Sequence, residues 1–215
     1  MTEIVIYVEG GGDSAQQRSE LRQGFDSLLG GVKSKAREKR LGWKLVLAGG
    51  RQATYEAFLN ALTTGPGSAR TVLLVDAEAP VAATSGDLAR DAMARVAHLV
   101  QRDKWDLSAV QPERVHLMVQ CMEAWIVADA RALEAFYQQG FIAKALPARD
   151  NLEDEPKKSL YNKLAKATRA SQKGEYGKIR HASQLLQRID PAIVARRCPR
   201  FGTLIHWLET AIADL

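Results

Sequence analysis

Continuous apolar runs alternate with apolar stripes at helical spacing through the first two-thirds of the chain. Ile4-Val5-Ile6-Tyr7-Val8 is followed by Glu9-Gly10-Gly11-Gly12-Asp13, the pattern of a buried strand that delivers a carboxylate to a glycine-rich turn. Asp13 or Ser14 caps the next helix, with Gln17 in capping-box spacing from Ser14. Leu21, Phe25, Leu28 and Leu29 form its stripe, Gly30-Gly31 is predicted to end it, and residues 33–40 read as a basic connector or helix end. A second strand over 43–48 runs into Gly49-Gly50-Arg51 and a helix that buries Tyr55, Phe58, Leu59 and Leu62, before a loop at Gly65-Pro66-Gly67. The third strand, 71–75, leads into Asp76-Ala77-Glu78. After a loop over 80–86, residues 87–103 carry a helix marked by Leu88, Met93, Val96, Leu99 and Val100. The fourth strand, 114–119, leads through Gln120-Cys121-Met122-Glu123 into a helix reaching about residue 139. Trp125, Ile126, Leu133, Phe136 and Tyr137 mark the buried side of that helix.

Four strand-and-helix units in succession predict an α/β fold: a mostly parallel sheet of about four strands with helices on both faces, over residues 1–146. From Phe141 the character changes. Residues 147–156 read as a polar linker, followed by helical stretches over 157–172, 178–188 and 199–214 with no strand signal. Residues 147–215 are therefore expected to be a basic helical appendage packed on the same domain.

Composition adds little to this except in its charge. With 215 residues, 46% of them hydrophobic and 26% charged, the chain is long enough for a real core and is not of disordered type. No apolar run is long enough to span a bilayer, and the first residues lack a secretory pattern. Cys121 and Cys198 match neither a metal-ligand spacing nor a disulfide framework, so a reduced, cytoplasmic protein is expected, with no membrane partner. The net charge of +5 hides an asymmetry. Residues 156–200 hold 12 Lys and Arg against Glu175 and Asp190, a net of +10, which leaves −5 for the remainder. Such a division suits a polyanion gripped by one part and processed by the other.

The candidate chemistry lies at the strand ends, where open α/β sheets bind ligands. Glu9 follows the first strand, and Asp76 and Glu78 follow the third; strand alternation puts the latter two on one side. If the strands are neighbours, these carboxylates crowd together and call for a hard divalent cation, Mg²⁺ or Mn²⁺. Acids past strand ends also serve as plain turn formers, but two such groups after two apolar strands favour the metal. Gly10, Gly12 and Ala15 fit the dinucleotide fingerprint GxGxxA. The second strand, however, ends without an acid for a ribose, and Glu9 would oppose a pyrophosphate. Glu123 stands in the first turn of a helix, where an acid suits the dipole; beside Gln120 it is also a further ligand or a base for water. His116 is read as a satisfied core histidine and Asp129 as structural.

Val8-Glu9-Gly10 and Val75-Asp76-Ala77-Glu78 resemble the TOPRIM domain, with Glu78 where a second Asp is usual. The wider set Val8-Glu9-Gly-Gly-Gly-Asp13, Leu74-Val75-Asp76-Ala77-Glu78 and Gln120-Cys-Met-Glu-Ala-Trp-Ile-Val-Ala-Asp129 is similar to a TOPRIM-like family of unassigned function. Gly49-Gly50-Arg51, Lys178, Ile189-Asp190-Pro191 and Arg200-Phe201 extend the likeness over nearly the whole chain. The resemblance implies a relation to nucleases of the overcoming-lysogenization-defect type, which often act beside an ATPase in phage defence.

On these grounds Glu9, Asp76 and Glu78 are expected to hold Mg²⁺ or Mn²⁺, with Glu123 completing a catalytic site for phosphodiester hydrolysis of DNA or RNA. Arg51, at a helix start, and Lys157, Lys158, Lys178 and Arg180 are the expected phosphate contacts, with Tyr161 and Tyr176 for stacking. Asp13, Gln120 and His181 are secondary candidates. The other reading is a non-catalytic effector subunit that works with a partner ATPase. Nothing in the pattern specifies an oligomeric state.

Overall fold

The computed structural model describes residues 2–12, 14–65, 69–82 and 84–215. Four strands, β1 (Glu3–Val8), β2 (Gly42–Val46), β3 (Arg70–Asp76) and β4 (Val115–Met118), form one sheet in the order β2-β1-β3-β4. All three pairings are parallel. β1 and β3 lie side by side in the middle, which is why both read as unbroken apolar runs. Alternation then sorts each strand. Ile4, Ile6, Val8, Val72 and Leu74 enter one core, whereas Leu73, Val75, Val115 and Leu117 enter the other.

Helices α3 (Arg51–Thr64) and α4 (Leu88–Asp103) cover the second core. The first core is covered by α1 (Ala15–Leu28) and α2 (Gly30–Glu38), by α5 (Glu123–Ala128) and α6 (Ala130–Tyr137), and by the C-terminal helices. These last are α7 (Lys157–Thr168), α8 (Lys178–Leu186), α9 (Pro191–Arg197) and α10 (Pro199–Ala213). Fully buried Trp125 meets Phe25 of α1 and Phe201 of α10 edge to face, so the tail and the α/β part share one packed interior. At Gly24 a Cβ would stand 3.0 Å from the Ser183 Cα, so α1 and α8 approach to backbone contact there. No described helix is long and apolar enough to cross a membrane.

Several local expectations are corrected. Gly30-Gly31 marks the end of the first helix as expected, since α1 stops at Leu28, but it also opens α2, which takes in most of residues 33–40. The helix after β4 is broken at Asp129. There the side chain accepts from the Ala132 N–H (3.1 Å) and the Asp190 N–H (3.0 Å), fastening α6 to the start of α9. The polar linker is not loose: Leu152, Glu153 and Glu155 are buried, and Glu153 pairs with Arg200 while Glu155 pairs with Lys163 (2.6 Å) and Arg149 (3.0 Å). On α4 the apolar stripe is misplaced. Leu88, Met93 and Val100 are exposed, and the helix buries Ala92, Arg95 and Leu99. His116 is a core residue, but its Nε2 has no partner.

Replacing Phe201 with Ala should destabilise the whole chain by about 3–5 kcal/mol, the usual cost of emptying a large aromatic site. Denaturant unfolding should stay a single transition, because the tail and sheet share the interior; an early transition confined to the tail would contradict that.

Candidate metal centre

The sheet order makes β1 and β3 neighbours, and their carboxyl ends bring Glu9 and Asp76 together. The Glu9 N–H donates to the Leu74 carbonyl (3.0 Å), continuing the ladder, while Glu9 Oε2 accepts from the Asp76 N–H (3.1 Å). Glu78 arrives by another route. β3 ends at Asp76, and Glu78 adopts φ +65°, a left-handed conformation rare outside glycine, with its N–H donating to the Gln120 carbonyl (2.7 Å). The turn, not strand alternation, swings its longer arm back. Oxygens of Glu9, Asp76 and Glu78 then lie within 4.8 Å of one another.

Behind Glu9, Gly10, Gly11 and Gly12 all have positive φ, and a Cβ on Gly11 would stand 2.9 Å from the Arg18 Cα. A residue with a side chain could not let the loop pass so close to α1.

Three carboxylates this close repel strongly. Two unit charges at 4.8 Å cost about 3–4 kcal/mol at an effective dielectric constant of about 20. Each acid is met by its own cation. Arg51 Nη1 donates to Glu9 Oε2 (2.9 Å) and to the Asp76 carbonyl (2.5 Å). Its Nε and Nη2 are held by Asp103 (2.9 and 2.7 Å), and Trp105 lies 5.0 Å beneath the guanidinium. Lys157 Nζ binds both oxygens of Glu78 (2.6 and 2.5 Å). Lys178 Nζ lies 3.5 Å from Asp76 Oδ2 and 3.8 Å from Glu123 Oε1.

Asp76 is 3% exposed and its Oδ1 accepts from the Met122 N–H (2.8 Å). Burial drives its pKa up to about 7; Lys178 opposes the rise, and the charges of Glu123 and Glu9 add to it. Lys178, whose side chain is 41% exposed, has its pKa raised, against partial desolvation, by the charges of Asp76 and Glu123. Glu123 opens α5 and is fully buried. Its Oε1 accepts from the Tyr176 hydroxyl (3.1 Å), while its Oε2 has no partner among the described residues. Burial and the charge of Glu123 raise the pKa of Tyr176, so its hydroxyl stays a donor. A buried carboxylate oxygen left without a donor is costly. With three convergent acids beside it, the donor set is the hard-oxygen kind that suits a divalent cation, and the residues fit such an ion.

The model of a family described as a domain of unknown function, DUF4276, matches residues 8–209. The chain belongs to that family. No curated protein and no solved structure matches it.

Other predicted residues fall around this centre or away from it. Gln120 is buried and accepts from the Lys157 N–H (3.0 Å), so it seats α7 against the strand end. Lys158 is exposed in an open cleft of about 560 Å³ with Glu78, Lys157 and Tyr161. On the other side, Gly10–Gly12, Leu21, Lys178 and Ile179 line a cavity of about 330 Å³. Arg180 is exposed and donates to the Glu175 carbonyl (3.3 Å). His181 is buried, with Nδ1 at 3.0 Å from the Tyr137 hydroxyl and its ring against Phe136; burial and nearby Arg180 lower its pKa, and its contacts are those of helix packing. Asp13 lies outside the described residues. Tyr176, expected to stack, instead spends its hydroxyl on Glu123, and Arg51, expected on phosphate, is fully engaged by protein oxygens. Asp103 was not anticipated; as the last residue of α4 it carried no signal that it would reach Arg51.

A carboxyl whose pKa is raised on folding favours the native state at low pH, and that advantage fades as pH rises from the free value of 3.8 towards about 7. Asp76→Asn, which cannot ionise, should therefore raise the thermal midpoint of the metal-free protein more at pH 8 than at pH 5. Calorimetry at the two pH values checks this; an equal or smaller gain at pH 8 would be the contrary result.

Proposed function

We propose that the chain is a divalent-metal-dependent phosphodiesterase acting on DNA or RNA, with Mg²⁺ or Mn²⁺ as its cofactor. The observation that carries the reading is the meeting of Glu9, Asp76 and Glu78 at adjacent strand ends, beside buried Glu123 with an unpartnered oxygen. The resemblance to TOPRIM-type nucleases supports it. When bound, such an ion supplies Lewis-acid activation of water and of a phosphoryl oxygen.

The chain's own groups do the rest. Glu9, Asp76 and Glu78 hold the ion, with Glu9 steadied by Arg51. Tyr176 holds Glu123 by one oxygen, which leaves the other free to accept a proton from water or to join the ion. Lys157 and Lys178, which pair with Glu78 and Asp76, would be at hand for the substrate's phosphates if those carboxylates held an ion instead. Lys158, exposed in the adjoining cleft, extends the same positive track along a nucleic-acid backbone.

A second reading rests on a different observation. Arg51, Lys157 and Lys178 already neutralise the three acids. A chain whose acids are satisfied internally suits a non-catalytic effector that binds a partner ATPase and needs no ion.

Incubation with plasmid, single-stranded DNA and tRNA, with Mg²⁺, Mn²⁺ or chelator, separates the two. Metal-dependent cleavage should fall at least a hundredfold in Glu9→Gln and in Asp76→Asn, on the order of the loss when one charge-stabilising group is removed from a catalytic site. Cleavage that survives chelator or these substitutions would remove the metal-site assignment. Absence of both cleavage and calorimetric Mn²⁺ binding would leave the effector reading in place.

A further inference from the structure

A cavity of about 450 Å³ lies between α4, the start of β4 and α10, and shares no lining residue with the carboxylate centre. Its walls are chiefly apolar. Leu88 and Met93, both more than half exposed, stand at it from α4, and the Trp207 ring closes it from α10. The distribution on α4 is the reverse of what a helix on a core should show, since two large apolar side chains face out while Arg95 is buried.

Arg95 is the group that needs explaining. It is 3% exposed, and its Nε donates to the Val115 carbonyl (2.6 Å). Its two terminal nitrogens make no hydrogen bond or ion pair among the described residues. Desolvation and the like charge of Arg200 lower its pKa to about 10, against weak support from Asp91 and Glu113. Asp91 and Glu113, the latter on the same cavity wall, act on Arg95 only at a distance, so the guanidinium faces the cavity with no carboxylate in contact, an exception to the pairing of buried charges. His116, 1% exposed and kept neutral by burial, adds an Nε2 with no partner to the same wall.

We propose that this cavity binds a small apolar carboxylic acid. Its carboxylate pairs with the two free ends of the Arg95 guanidinium, and its hydrocarbon or aromatic body lies along Met93, Leu88 and Trp207. A planar fork of N–H donors matches a carboxylate bidentately, and the volume falls within the usual range for small-molecule sites. An amine would add charge beside Arg95, and an alcohol would leave the guanidinium uncompensated.

Isothermal titration of the full chain with octanoate, 1-octanol and octylamine tests this. Octanoate should bind at least about tenfold more tightly than either neighbour of equal length, a difference one charge-assisted pair readily provides. Arg95→Gln should abolish that preference. Because Arg95 is buried and its replacement could disturb α4, Met93→Glu at the exposed rim is the second variant. It should weaken both ligands through the lost apolar contact, and octanoate about tenfold more than octanol through the added like charge. Equal binding of octanoate and octanol, no octanoate binding at millimolar concentration, or a preference that survives both substitutions would overturn the proposal.

Discussion

Mutual repulsion among Glu9, Asp76 and Glu78 is the constraint around which this fold is arranged. With acids at the carboxyl ends of both strands, β1 and β3 lie side by side at a cost that positive charge brought to the same spot offsets. The three cations that do so come from three distant places: Arg51 from the helix after β2, Lys157 from α7 and Lys178 from α8. Each is itself positioned by something else. Asp103 and Trp105 hold Arg51, Gln120 receives the backbone of Lys157, and α8 is set against α1 through the missing side chain at Gly24. The centre is thus a property of the whole chain and not of the sheet alone.

The same view changes how the basic C-terminal region is understood. Its excess charge reads from the sequence as a surface for a polyanion, yet much of it is directed inward. Lys157 and Lys178 meet the acidic centre, Lys163 and Arg200 satisfy buried Glu155 and Glu153, and Arg197 donates to the carbonyls of Ala128 and Arg149. Lys158, Lys166, Arg169, Lys173, Arg180, Arg188 and Arg196 remain exposed. Four of the twelve cations of residues 156–200 are thus paired with acids from the rest of the chain.

The sheet was legible because β1 and β3 are covered on both faces, which makes every position apolar, and because strand and helix alternate four times. Glu9, Asp76 and Glu78 were legible because each follows such a run. What escaped notice depended on distance in the fold. That Glu78 turns back through a left-handed residue, that Asp103 reaches Arg51, and that Tyr176 serves Glu123 are all consequences of packing between segments with no local pattern in common. The α4 stripe failed for a related reason: periodicity reports which side chains are oily, and α4 turns Arg95 inward and Met93 outward. Gly30-Gly31 correctly marked the end of α1, but α2, which starts there and is held by buried Val32 and Ala36, had too few apolar residues to announce itself.

The separation of acids and cations along the chain also bears on how the molecule is born. Glu78 and Lys157 stand 79 residues apart, and Asp76 and Lys178 stand 102 apart. At a ribosomal rate of about 5–20 residues per second, the acids wait some 4–20 s for their counterions. Of the three cations, Arg51 alone precedes β3 in the chain, so pairing of β1 with β3 before α7 and α8 are made leaves Asp76 and Glu78 without their lysines.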